Sequence, residues 1–102
     1  MKYISLELAK KLAENWCELE SDKVWCAWKY EWKWRLLDED KNTPSNRIAA
    51  YDLIWDICIK YKKAFFWNTS SKALTSNIFN YLQDWKQQEA EDLIWSNCLF
   101  NT

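Results

Sequence analysis

A chain of 102 residues without a single glycine has to turn every corner with residues that carry a side chain. Average usage, near 7%, would supply about seven glycines. The need is sharpest where a helix ends, because the residue just past the last turn commonly takes a left-handed backbone that a Cβ resists. Nine tryptophans accompany the gap. Three of them stand where helix endings usually place glycine: Trp16 after Ala-Glu-Asn, Trp67 before Asn68, and Trp85 between Asp84 and Lys86. Two readings follow. Either some tryptophans occupy the places of ancestral glycines, through engineering, codon reassignment or drift, as in an engineered or purely structural domain, or the chain is aromatic-rich and its helices end by other means. In both cases tryptophan is not a mark of function merely because it is abundant.

The length suits one domain over residues 1–102. Apolar residues make up 49% and charged residues 28%, an ordinary globular balance. The net charge of −1 argues against charge-driven nucleic-acid binding, so no direct, sequence-specific nucleic-acid partner is expected. No apolar run approaches the roughly 20 residues of a membrane span. The opening Met1-Lys2-Tyr3-Ile4-Ser5 has no signal-peptide pattern, so a cytoplasmic location and no membrane partner are expected.

The pattern along the chain predicts an α+β, mostly helical fold. Ser5 suits an N-cap, and Leu8, Leu12, Trp16 and Leu19 give an apolar face for a first helix over about 6–16. From Cys26 to Leu37 the period changes to two. Cys26, Trp28, Tyr30, Trp32, Trp34 and Leu36 alternate with Ala27, Lys29, Glu31, Lys33, Arg35 and Leu37. This reads as a hairpin turning near 30–33, or as one strand needing a partner from a second copy. Residues 38–46 form a loop around Pro44. The strongest helix is expected over 47–66, apolar around most of its girth and therefore central, with Asp52, Asp56, Lys60 and Lys63 on a narrow wet strip. Two further helices, about 73–84 and 87–98, complete three helices packed around a central one.

Chemistry is sparse. The chain has no histidine, the commonest general base near neutral pH. Without glycine it has no phosphate-cradling loop. Cys17, Cys26, Cys58 and Cys98 are too scattered for a metal-ligand motif and read as reduced, buried thiols. No catalytic residue, metal site or cofactor is therefore expected, and the protein reads as a non-enzyme.

Two surfaces remain. The charged residues Lys29, Glu31, Lys33, Arg35, Asp38, Glu39 and Asp40 are not required by any core pattern and form the candidate partner-binding surface. The aromatic series Trp28, Tyr30, Trp32 and Trp34 is the alternative, a platform that would stack a nucleotide base. Its basic neighbours fall on the opposite strand face, which favours packing over stacking. The trio Lys60, Lys62 and Lys63 is a weak candidate anion site.

Three segments, YISLELAKKLAENWCELES (3–21), AYDLIWDICIKYKKAFF (50–66) and NIFNYLQDWKQQEAEDLIWSNCLFN (77–101), resemble small uncharacterised proteins encoded by bacteriophages and prophages. In that family glycine commonly stands at the positions of Trp16, Trp67 and Trp85, where this chain departs from it. The resemblance supplies no catalytic residues. It implies a phage-type accessory protein in a bacterial host cell, one that binds a host protein or ribonucleoprotein complex, such as an anti-CRISPR inhibitor occluding its target, or that sequesters a nucleotide. A second copy of the chain is a further candidate partner.

Overall fold

The computed structural model describes residues 2–27, 33–39 and 46–101. The fold is α+β: an N-terminal helix, a three-stranded antiparallel sheet, then helices. By contact density the chain falls into two compact units, residues 1–52 and 53–102. Among the described residues no helix is long and apolar enough to cross a membrane.

In the first unit, helix α1 (Leu6–Glu14) starts at Ser5, whose extended backbone lets its hydroxyl accept the Leu8 amide at 3.3 Å. Leu8, Ala9 and Leu12 are its buried stripe. Strands β1 (Lys23–Ala27), β2 (Trp34–Asp38) and β3 (Arg47–Ala50) run in the order β2-β1-β3. The pairing of β1 with β2 makes the 26–37 stretch a hairpin within one chain, and the sequence-based reason for a second copy, an unpaired strand, disappears. The tip of the hairpin lies outside the described residues.

The chain beyond β3 closes this unit. Tyr51 accepts the Ile4 amide at 2.9 Å on its carbonyl. Its phenol donates to the Leu19 carbonyl at 2.8 Å and meets Cys17 Sγ at 3.3 Å. A phenol has one proton, so with that proton on Leu19 the Cys17 thiol is the donor to Tyr51 Oη. One fully buried residue thus ties together the N-terminal segment, the turn after α1 and the end of the sheet.

The second unit begins with a π-helix, Leu53–Lys60, closed by the bond from the Tyr61 amide to the Asp56 carbonyl at 2.7 Å. Short α2 (Lys62–Phe65), α3 (Ser71–Gln83) and α4 (Gln87–Asn97) follow. Helices α3 and α4 pack together across the brief 84–86 connection. Leu74 and Ile78 on α3 and Ala90 and Ile94 on α4 are buried, together with Ile57, Phe65 and Cys98. Phe65 meets Phe100 ring to ring at 5.8 Å. Backbone bonds from Asn68 to Asn97 (3.1 Å) and from Leu99 to Ala64 (2.7 Å) tie the chain around α2 to the end of α4.

Two expectations are corrected here. Residues 47–50 are strand, not helix, because they complete the sheet on β1. Asp52 and Asp56 are both buried at 3% exposure, not on a wet strip. A face drawn at 3.6 residues per turn does not carry over to a segment that is partly strand and partly π-helix.

Trp16 and Trp85 are the described non-glycine residues with positive φ, at 67° and 60°. Each stands just past a helix in a two-bond C-terminal cap. The Cys17 amide reaches Leu12 at 3.0 Å and the Trp16 amide Ala13 at 3.3 Å; the Lys86 amide reaches Tyr81 at 2.8 Å and the Trp85 amide Leu82 at 3.3 Å. This is the hydrogen-bond pattern that normally selects glycine. Trp67, the third suspect, lacks a positive φ.

Candidate functional site

Register decides which of the candidate residues act together. Ala27 pairs with Trp34 and Cys26 with Arg35, so an even-numbered position on β1 opposes an odd-numbered one on β2. The expected single face holding Cys26, Trp34 and Leu36 therefore does not exist. Trp34 and Leu36 share a face with Trp25 and Ala27, whereas Arg35 and Leu37 share one with Val24 and Cys26. The Trp25 indole donates to the Ile4 carbonyl at 3.0 Å, and the Lys10 ammonium of α1 lies 5.3 Å from the centre of the Trp34 ring.

The candidate binding residues divide accordingly. Continued alternation puts Lys33 and Glu39 with Arg35 on one face, and all three are exposed. Asp38 is on the other face, where it accepts the Lys23 ammonium at 2.7 Å. That hydrogen bond raises the Lys23 pKa above its ordinary value. Glu39 and Arg47 form a looser pair at 4.0 Å. Lys29, Glu31 and Asp40 lie outside the described residues, as do Trp28, Tyr30 and Trp32 of the aromatic series. Trp34, the described member of that series, is half-buried.

Sequence patterning missed the edge itself. The Ala27 amide bonds Asn46 beside β3 at 3.0 Å, and the Glu39 amide bonds Asp22 before β1 at 3.0 Å. Ladder alternation then turns the amides of Arg35, Leu37 and Glu39 toward β1. The N–H and C=O groups of Trp34, Leu36 and Asp38 are directed away from the sheet. Among the described residues no strand pairs with that side of β2. The signal was latent in the register, which a sequence alone leaves undetermined.

A second feature lies in residues 53–102. Lys62, Lys63, Phe66, Trp67, Thr69 and Ser71 line a cleft of about 330 Å³ at the start of α3. It joins two exposed ammonium groups, two hydroxyls and an indole that is 64% exposed. The basic trio is thus split: Lys62 and Lys63 are on the cleft, while the Lys60 ammonium lies 5.1 Å from the Tyr61 ring centre.

The four thiols are unbridged and buried. Cys98 donates to the Trp95 carbonyl at 3.3 Å, and burial pushes its pKa up. Among the described residues no three histidine, cysteine or acidic side chains gather where a metal would sit. Native protein at mildly alkaline pH is therefore expected to react with a disulfide reagent only as fast as it opens, with Cys98 slowest, and all four thiols are expected to titrate at once in denaturant. Rapid labelling of the native chain would contradict the packing described.

No protein family, curated protein or solved structure matches this chain.

Proposed function

We propose that this chain is a non-enzymatic protein-binding module that docks its partner along β2. The observation that carries the reading is the outward row of backbone groups at Trp34, Leu36 and Asp38, on the outer strand of the sheet and bordered by exposed charge. An open edge accepts an extended segment by strand addition: main-chain hydrogen bonds supply affinity and flanking side chains select the partner. Lys33, Arg35, Asp38 and Glu39 are the selecting residues. The absence of histidine from the sequence fits binding better than acid–base chemistry.

The phage resemblance gives this binding its setting. In that reading the partner is a host protein or ribonucleoprotein of bacterial defence, met in the host cytoplasm and inhibited by occlusion. Affinity capture from bacterial lysate under reducing conditions tests it. A stoichiometric partner held by the wild-type chain and lost by a Lys33→Glu, Arg35→Glu double variant is the expected result. Retention unchanged by that charge reversal would reject β2 as the docking edge.

A second reading has its own observation, the cleft at Lys62, Lys63 and Trp67. Two ammonium groups beside an exposed indole suit a small ligand with an anionic and an aromatic part, such as a nucleotide. A chain that elutes from lysate carrying only nucleotide would move the conclusion to that cleft.

A further inference from the structure

We infer that the occupant of the β2 edge is a second copy of this chain, paired antiparallel about Leu36. The inference rests on reading β2 as a docking edge: a second copy takes that edge when no host partner is bound, and the two occupants compete for it. Residues 33–39 read Lys-Trp-Arg-Leu-Leu-Asp-Glu, with both cations at one end and both anions at the other. An antiparallel copy reverses that order. With Leu36 opposite the partner's Leu36, Lys33 faces the partner's Glu39, Arg35 faces the partner's Leu37 with the partner's Glu39 diagonal to it, and Trp34 faces the partner's Asp38. Each cation end meets an anion end, and symmetry repeats the match. A parallel copy would set like charge against like.

The backbone agrees with the same register. The outward groups belong to Trp34, Leu36 and Asp38, and a two-fold axis at Leu36 places them opposite Asp38, Leu36 and Trp34 of the other strand. Every outward N–H then meets an outward C=O in hydrogen-bonded pairs. The side chains have room for this, because Arg35, Asp38 and Glu39 are exposed and Leu36 and Leu37 are half-buried. No proline interrupts the strand to blunt the edge. Two three-stranded sheets would become one continuous sheet of order β3-β1-β2-β2-β1-β3.

Charge exchange tests both the partner and the register. Lys33→Glu sets carboxylate against carboxylate at both ends of the pair, and Glu39→Lys sets ammonium against ammonium at the same two places. Each variant alone is expected to self-associate roughly tenfold to a hundredfold more weakly than wild type in sedimentation equilibrium at low salt. An equimolar mixture restores both opposite-charge pairs and is expected to regain dimer, which also shows that both variants are folded. A wild-type chain that stays monomeric up to about 1 mM overturns the inference. So does a dimer indifferent to either exchange, or a mixture no tighter than its components. Monomeric protein that still holds a lysate partner through Lys33 and Arg35 would remove the second copy and leave the docking edge standing. A dimer obeying the charge exchange but capturing nothing would keep the pairing and remove the outside partner.

Discussion

Replacing Trp16 and Trp85 together by glycine is expected to raise the melting temperature of this protein by roughly 5–15 °C, as each site gains about 1 kcal/mol. Left-handed backbone costs an L-residue with a Cβ about 1–2 kcal/mol, and glycine escapes that cost. Glycine gives part of it back by loosening the unfolded chain, by roughly 0.4–1 kcal/mol. Little packing is lost, because the two indoles are 83% and 85% exposed. The cap bonds to Leu12, Ala13, Tyr81 and Leu82 are backbone bonds and survive the change. The two caps are closed by different residues, Leu12 and Ala13 in one and Tyr81 and Leu82 in the other, so their effects should add. Trp67→Gly is the control: without a positive φ it gains nothing and bears the entropy of a more flexible unfolded chain. A differential scanning calorimetry series over the three singles and the double would decide it. Equal responses at 16, 67 and 85 would contradict the strain assigned to the two corners.

Tyr51 carries the second large effect, in the opposite direction. Tyr51→Phe keeps the ring and removes one oxygen, leaving the Leu19 carbonyl and the Cys17 thiol to find other partners in a buried place. A loss of about 1–3 kcal/mol is expected from that alone. Tyr51→Ala also empties the space of a side chain with 1% exposure, and about 3–5 kcal/mol is expected, enough to unfold a marginal domain. Urea titrations of the two variants separate the hydroxyl from the ring. A Phe variant as stable as wild type would mean that the phenol does not clasp the turn after α1.

How much of this was legible beforehand follows the length scale of each signal. Helix α1 was readable because its information is local: Ser5 at the cap and Leu8, Ala9 and Leu12 at helical spacing. The two left-handed corners were readable from an absence, since a glycine-free chain must put something at its helix ends. Trp67 satisfied the same reasoning and failed: it follows the C-cap Phe66 of the four-residue α2 as Trp16 follows Asn15, yet its own φ is not positive. Strand β3 was hidden because Ala50 continues, by coincidence of spacing, the apolar series of Ile54, Ile57 and Cys58. Its four residues are a strand only because β1 lies beside them. The π-helix was hidden for a related reason: one residue more per hydrogen-bonded ring leaves no local mark in Leu-Ile-Trp-Asp-Ile-Cys-Ile-Lys. The candidate site was half legible. Its charged residues stood out, but the face each one takes depends on an odd register set by the length of the hairpin connection.

The left-handed corners at Trp16 and Trp85 also speak about the gene. In a gene that spelled Trp16 and Trp85 with a codon its other seven tryptophans do not use, a translation apparatus that read that codon as glycine would make, from the same nucleotides, a chain with the same hydrogen-bonded caps and relaxed backbones. It would also lack two indoles that stand almost entirely in water. For such a gene, thermal tolerance would be a property of the decoding cell as well as of the message, and expression in one host or another would yield two products of different stability from one reading frame.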